Sequence, residues 1–147
     1  MIVRQFQPAD LATLCEIDQR CFSPGIAYAP EELASFVAHR SSMTWVAEAS
    51  GEIVGFVVAS RQSGRVGHII TIDVVEAWRR RGVGAALMDA AEGWAQKGKL
   101  ELMYLETAED NLAAQDFYEG RGYRKVDKVN RYYSNNLAAW VMVKRLK

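Results

Sequence analysis

The run Arg79-Arg80-Arg81-Gly82-Val83-Gly84-Ala85 constrains the fold of this chain more than any other segment. It follows an apolar stretch, Val66 to Val74, that reads as a strand, and it opens Gly82 to Lys97, where Val83, Leu87, Ala90 and Trp94 make a helical stripe. A glycine-rich turn from strand to helix leaves unpaired amides pointing outward. With the helix dipole they form a site for an anion, phosphate above all. Gly82 and Gly84 are expected to keep side chains away from a ligand touching the main chain, and Arg79, Arg80 and Arg81 to surround it with positive charge. A tight turn carrying a solvated charge run is the alternative these residues leave open.

Two nucleotide-binding patterns can be tested directly. A Walker A loop needs Gly-Lys-Ser/Thr, but Gly84 is followed by Ala85-Ala86. A dinucleotide fingerprint needs a third glycine where Leu87 stands, and it normally follows the first strand of a domain rather than the fourth. The 147 residues suit one domain over 1–147 that buries roughly 70% of its unfolded surface without a staple. Eighteen basic residues cancel eighteen acidic ones, so the field expected of a nucleic-acid binder is missing. No apolar run approaches the roughly 20 residues of a membrane span. The start Met1-Ile2-Val3-Arg4-Gln5 lacks signal-peptide character, so a cytoplasmic location is expected. Cys15 and Cys21 fall in one predicted helix about 9 Å apart along its axis, beyond disulfide reach, and no metal site is expected.

The remaining pattern predicts a strand over Ile2–Gln5, a helix carrying Leu11, Leu14, Ile17 and Cys21, and a short helix from Pro30. Strands follow over Thr44–Ala49, Ile53–Gln62 and Val66–Val74, separated by Ser50-Gly51-Glu52 and Ser63-Gly64 turns. After the Gly82–Lys97 helix come a strand apolar on both faces, Leu100–Glu106, a helix Asn111–Glu119, and strands Tyr123–Tyr133 and Ala139–Leu146. This order gives an α/β (α+β) chain, a mixed sheet of six or seven strands with about four helices on both faces.

On these residues the chain resembles the GNAT superfamily of acetyl-CoA-dependent N-acetyltransferases. Arg79, Gly82 and Gly84 match the family's Arg/Gln-x-x-Gly-x-Gly/Ala signature behind Ile69-Ile70-Thr71-Ile72-Asp73-Val74, and Asn111 to Tyr123 is similar to its Asn-x-x-Ala-x-x-Phe-Tyr-x-x-x-Gly-Phe element. The resemblance implies that the fourth and fifth strands splay apart to admit the pantetheine arm of acetyl-CoA as a surrogate strand. Main-chain groups of Ile72, Asp73 and Val74 would bind that arm, amides from Arg80 through Gly82, Val83, Gly84 and Ala85 the pyrophosphate, and Asn111 the cofactor from the next helix. Within the family, Leu105-Glu106-Thr107 with Asn111 and Tyr118 is most similar to ribosomal-protein alanine and other protein N-terminal acetyltransferases. Arg131-Tyr132-Tyr133 resembles a tyrosine pair that those enzymes place over the acceptor, whereas Pro24-Gly25-Ile26-Ala27-Tyr28 departs from their usual Pro-Trp-Ser.

Acetyl transfer to an amine requires a neutral nucleophile, a stabilised oxyanion and a proton for the departing thiolate. An α-amine with a pKa near 8 is mostly protonated at neutral pH, so a base must help. Glu106 at a buried strand end is the candidate, with a carboxylate merely satisfied by backbone amides as the alternative. Tyr118 lies two helical turns after Asn111 and is the candidate acid for the thiolate. The Val74 amide is the candidate oxyanion donor. Tyr28, Tyr132 and Tyr133 are the candidate acceptor-binding residues, His68 is expected to be structural, and exposed Trp78 is expected at the cofactor entrance. The acceptor is expected to be a protein or peptide N-terminus. A small-molecule amine, or a CoA-binding module without turnover, are the other readings. Neither nucleic acid nor membrane is expected as a partner, and monomer or homodimer stays open.

Overall fold

Two left-handed pairs, Ser50 with Gly51 and Gly64 with Arg65, turn the middle of the chain into three consecutive antiparallel strands. The computed structural model describes residues 1–146; Lys147 lies outside them. The elements are β1 (Ile2–Gln5), α1 (Leu11–Cys21), α2 (Pro30–Ala38), β2 (Ser42–Ala49), β3 (Glu52–Arg61), β4 (Val66–Val74), α3 (Val83–Lys97), β5 (Leu102–Ala108), α4 (Leu112–Gly120), β6 (Arg124–Val129) and β7 (Ala139–Arg145). Short 3-10 turns occupy Pro8–Asp10 and Glu76–Trp78. One seven-stranded sheet runs in the order β1-β2-β3-β4-β5-β7-β6, with β4 and β5 its parallel pair.

The expected element order is present; most strand and helix ends shift slightly, and β5 and β6 shift for identifiable reasons. Leu100 is buried but belongs to the turn, its amide bonded to the Ala95 carbonyl, so β5 starts at Leu102 and continues to Ala108. β6 stops at Val129 instead of Tyr133, because the chain reverses at Arg131 (φ 53°), and Tyr132 and Tyr133 lie in the connection to β7.

Helices cover both faces. On one, Leu87, Met88, Ala91 and Ala95 of α3 pack with Val57, Ala59, Ile69, Met103 and Leu105 of the sheet. On the other, Leu14, Ile17 and Leu33 of α1 and α2 meet Val46, Phe56 and Val58. Each fully buried Leu or Phe here contributes roughly 1.5–3 kcal/mol.

Between the two layers, β4 and β5 pair only at Val66↔Leu102, Gly67↔Met103 and His68↔Tyr104. Both strands continue, so their remaining residues diverge. The register of β3 and β4 passes from Ala59↔Ile69 to Val58↔Thr71, leaving Ile70 as an extra residue in β4. Such a bulge bends its strand and reverses which side chains face each layer. Ile69 before the bulge and Ile72 and Val74 after it accordingly all pack in the α3 layer, where unbroken alternation would put Ile69 opposite the other two. The Tyr28 hydroxyl donates to the Ile70 carbonyl at 3.3 Å, satisfying a group the bulge leaves off the ladder.

Candidate active site

A cleft of about 330 Å³ opens where the two strands part, lined along its walls by Ile69 to Ile72 of β4 and Leu105 to Ala108 of β5. Past the bulge, the Val75 amide donates to the Val54 carbonyl of β3 at 2.9 Å. The trans peptide therefore turns the Val74 carbonyl to the opposite, open edge, and strand alternation gives Ile72 the same orientation. Arg79 Nε meets the Val74 carbonyl there at 3.0 Å, and Cys21 Sγ at 3.5 Å. Asp73 is placed differently. Its peptide groups face β3, and its carboxyl is 1% exposed on the α1 side, where Thr71 Oγ1 donates to it at 2.6 Å. Burial, with the neighbouring Asp18 carboxyl adding to it, pushes the Asp73 carboxyl well above the ordinary carboxylate range.

Beyond Val74, Arg80 (φ 60°) and Gly82 (φ 86°) curl the chain into α3, and Gly82 occupies its N-cap without a capping side chain. The amides of Val83, Gly84 and Ala85 form the first turn, whose N–H groups have no partner within the helix. The two glycines serve different ends. A Cβ on Gly82 would meet nothing within 4 Å, so its need is the left-handed backbone. A Cβ on Gly84 would stand 3.3 Å from the Phe117 ring, so this glycine lets α4 close on α3. Arg79 is turned back onto β4, while Arg81 stacks over Trp78 at 4.3 Å. Trp78 lines a separate groove with Arg79, Val75 and α1 residues.

Asn111 lines the cleft and caps α4, its Oδ1 accepting from the Ala114 amide at 3.1 Å. Buried Gln115 donates to the carbonyls of Ala108 and Glu109, both at 3.1 Å, tying α4 to the end of β5. Tyr118 lines the same cleft, and burial, with the Asp73 carboxyl adding to it, pushes its phenol well above the usual tyrosine value. The hydroxyl is therefore protonated at neutral pH.

Glu106 projects from β5 on the face opposite Leu105 and lines the cleft. Tyr28, Tyr132 and Tyr133 share that end, together with Phe22 and Ile26. Burial raises Tyr132 to about 12, with the Glu106 and Tyr104 charges adding to it; Tyr28 and Tyr133 are pushed higher, again by burial first. The roof over this end is tied by Ser134, whose amide and hydroxyl both donate to the Gly25 carbonyl, at 3.2 and 3.0 Å. Gly25 has φ 92°, and a Cβ on it would fall 2.8 Å from Asn135 Cβ.

The structure thus brings Ile72, Glu106, Asn111, Tyr118, Tyr28, Tyr132 and Tyr133 to one cleft, whereas Asp73, Val74 and residues 79–85 do not line it. Three features escape the sequence reading. His68 contacts Glu106, Gly25 and Ser134 join two distant loops, and Ile70 forms the bulge. An even run of Ile69-Ile70-Thr71-Ile72 carries no mark of an extra residue, whereas His68 immediately before that run was a visible polar interruption of an apolar strand.

An open strand edge beside unpaired helix amides fits an amide-rich arm ending in a diphosphate. The Acetyltransferase (GNAT) family model matches residues 11–123. An uncharacterized N-acetyltransferase of Methanocaldococcus jannaschii is 30% identical over 146 residues, covering 99% of this chain and 92% of the relative. An N-alpha-acetyltransferase of Sulfolobus acidocaldarius is also 30% identical, over 90% of this chain and 88% of its own. The crystal structure of Ard1 from Thermoplasma volcanium superposes with a TM-score of 0.87 at 29% identity, covering 98% of this chain and 96% of that one. The chain belongs to the GNAT acetyltransferase family, as an acetyl-CoA-dependent N-acetyltransferase.

Proposed function

We propose that this enzyme acetylates the N-terminal α-amino group of a protein or peptide, with the whole chain serving as one transferase domain. The observation that carries the reading is the end of the cleft holding Glu106, where Tyr28, Tyr132 and Tyr133 surround a carboxylate under a roof joined at Gly25 and Ser134. Relatives named N-alpha-acetyltransferase support the same acceptor.

Acetyl-CoA supplies the activated acetyl thioester. On this reading the peptide groups of Ile72 and Val74 align its arm, and the amides of Val83, Gly84 and Ala85 hold its diphosphate. Asn111 contacts it from the α4 cap, and Arg80 and Arg81 add charge at the mouth. Glu106 takes a proton from the acceptor ammonium, freeing the nitrogen lone pair that forms the new bond to the acetyl carbon. The Val74 amide donates to the carbonyl oxygen as negative charge grows there. Tyr118 gives its phenolic proton to the sulfur as the carbon–sulfur bond breaks and regains a proton from the second N–H that the nitrogen sheds in forming the amide, a role suited to a hydroxyl that burial keeps protonated.

The test is turnover with acetyl-CoA on a panel of peptides with free N-termini, the same peptides N-terminally blocked, and free polyamines and amino acids. Thiol release with the free peptides alone supports the reading. Turnover confined to small amines overturns it in favour of a small-molecule acceptor.

A further inference from the structure

His68 stands at the fork of the sheet. It is the last β4 residue paired with β5, opposite Tyr104, and its ring stacks on that tyrosine at 4.3 Å with the planes 6° apart. Its Nε2 lies 2.7 Å from Oε1 of Glu106, which follows Tyr104 by two residues and so shares its face of β5. Glu106 lines the cleft, and His68 is not among the lining residues. The imidazole therefore reaches the carboxylate from behind, as a ring already immobilised by stacking and by its place on a paired strand.

Resting on the reading of Glu106 as the proton acceptor, we propose that His68 is the positioning residue for that carboxylate. Its Nε2–H donates to Oε1, fixes the glutamate side chain, and leaves Oε2 facing the acceptor nitrogen. In the step this serves, an N–H bond of the ammonium breaks and an Oε2–H bond forms, while His68 keeps its own proton. A glutamate without this anchor has three free side-chain torsions, and misplacing a reacting group by about 1 Å costs on the order of 10²-fold in rate.

The experiment is a double-mutant cycle on the full chain, with whichever amine the enzyme turns over, so the result does not depend on the acceptor class. His68→Phe keeps an aromatic ring against Tyr104 but removes the donor. His68→Gln supplies an amide N–H at similar reach. Expected results are a kcat about 10²-fold lower in H68F with the acetyl-CoA KM unchanged, most of that loss recovered in H68Q, and no further loss when H68F is added to E106Q. Circular dichroism and melting curves on each variant separate this from unfolding, and H68Q carries the comparison if H68F does not fold. Full kcat in H68F, an equal loss from H68F in the E106Q background, or H68Q as slow as wild-type-background H68F or slower than E106Q would overturn the inference. Full activity in E106Q removes the base assignment and this inference with it; a slow E106Q beside a fast H68F removes the inference alone.

Discussion

The same two strands behave in opposite ways at their two ends. From Val66 to His68, β4 is paired with β5, packed and ordinary; from Ile69 onward it bulges, turns away and leaves an edge that no strand pairs beside a cleft. Neither proline nor glycine breaks the ladder. One extra residue, Ile70, is held by the Tyr28 hydroxyl, while Gln115 secures the far end of β5. Apart from His68 at the fork, the paired end supplies stability and the open end supplies chemistry, so substitutions at Val66 or Gly67 and at the open end should separate melting temperature from turnover.

The largest expected effect lies at the open end. Tyr118→Phe should lower kcat about 10²-fold or more while acetyl-CoA affinity, read by calorimetry, stays within a factor of about two. Unchanged kcat removes the acid role. The paired end should respond the other way. A Cβ on Gly67 would stand 2.9 Å from Met103 Sδ and 3.1 Å from Leu100 Cδ1, so Gly67→Val should cost about 1–3 kcal/mol by overpacking. Its kcat at 25 °C should match the native enzyme, and a matching fall in kcat without unfolding would erase the contrast.

How much of this was visible in the sequence follows the same division. Strand and helix order, the layered core and the glycine turn are carried by local periodicity, which neighbours in sequence determine, and Ile72, Glu106, Asn111 and Tyr118 all reached the cleft. What was not legible depends on distant partners. The bulge at Ile70 has no local signature, and the Ser134–Gly25 tie spans 109 positions. Asp73 sits in the strand proposed to meet the cofactor, yet its carboxyl turns to Asp18 because the bulge had already reversed the strand's faces. That Gly84 lies against the Phe117 ring of α4 also has no mark in its own segment.

Asp73 sharpens the comparison through pH. Its folded-state pKa is raised, so the stability it contributes is complete below the unfolded value of about 3.9 and is lost as pH rises toward the folded value. Asp73→Asn lacks this loss, so the melting temperature of the native chain should fall relative to the variant as pH rises from about 4. Parallel curves would show that Asp73 titrates normally. The smallest effect belongs to the bulge anchor. Tyr28→Phe removes the 3.3 Å bond to Ile70 and should cost about 0.5–1.5 kcal/mol in stability, with a modest rise in acceptor KM. A larger rise in acetyl-CoA KM than in acceptor KM would assign Tyr28 to the wrong half of the reaction.

Amide hydrogen exchange read residue by residue, with and without acetyl-CoA, tests the open strand edge most directly. Slower exchange at Ile72, Val74 and Val83 to Ala85, with none at Val66 to His68, is the expected result. Protection confined to the groove beside Trp78, or none at the β4 edge under saturating acetyl-CoA, would contradict it.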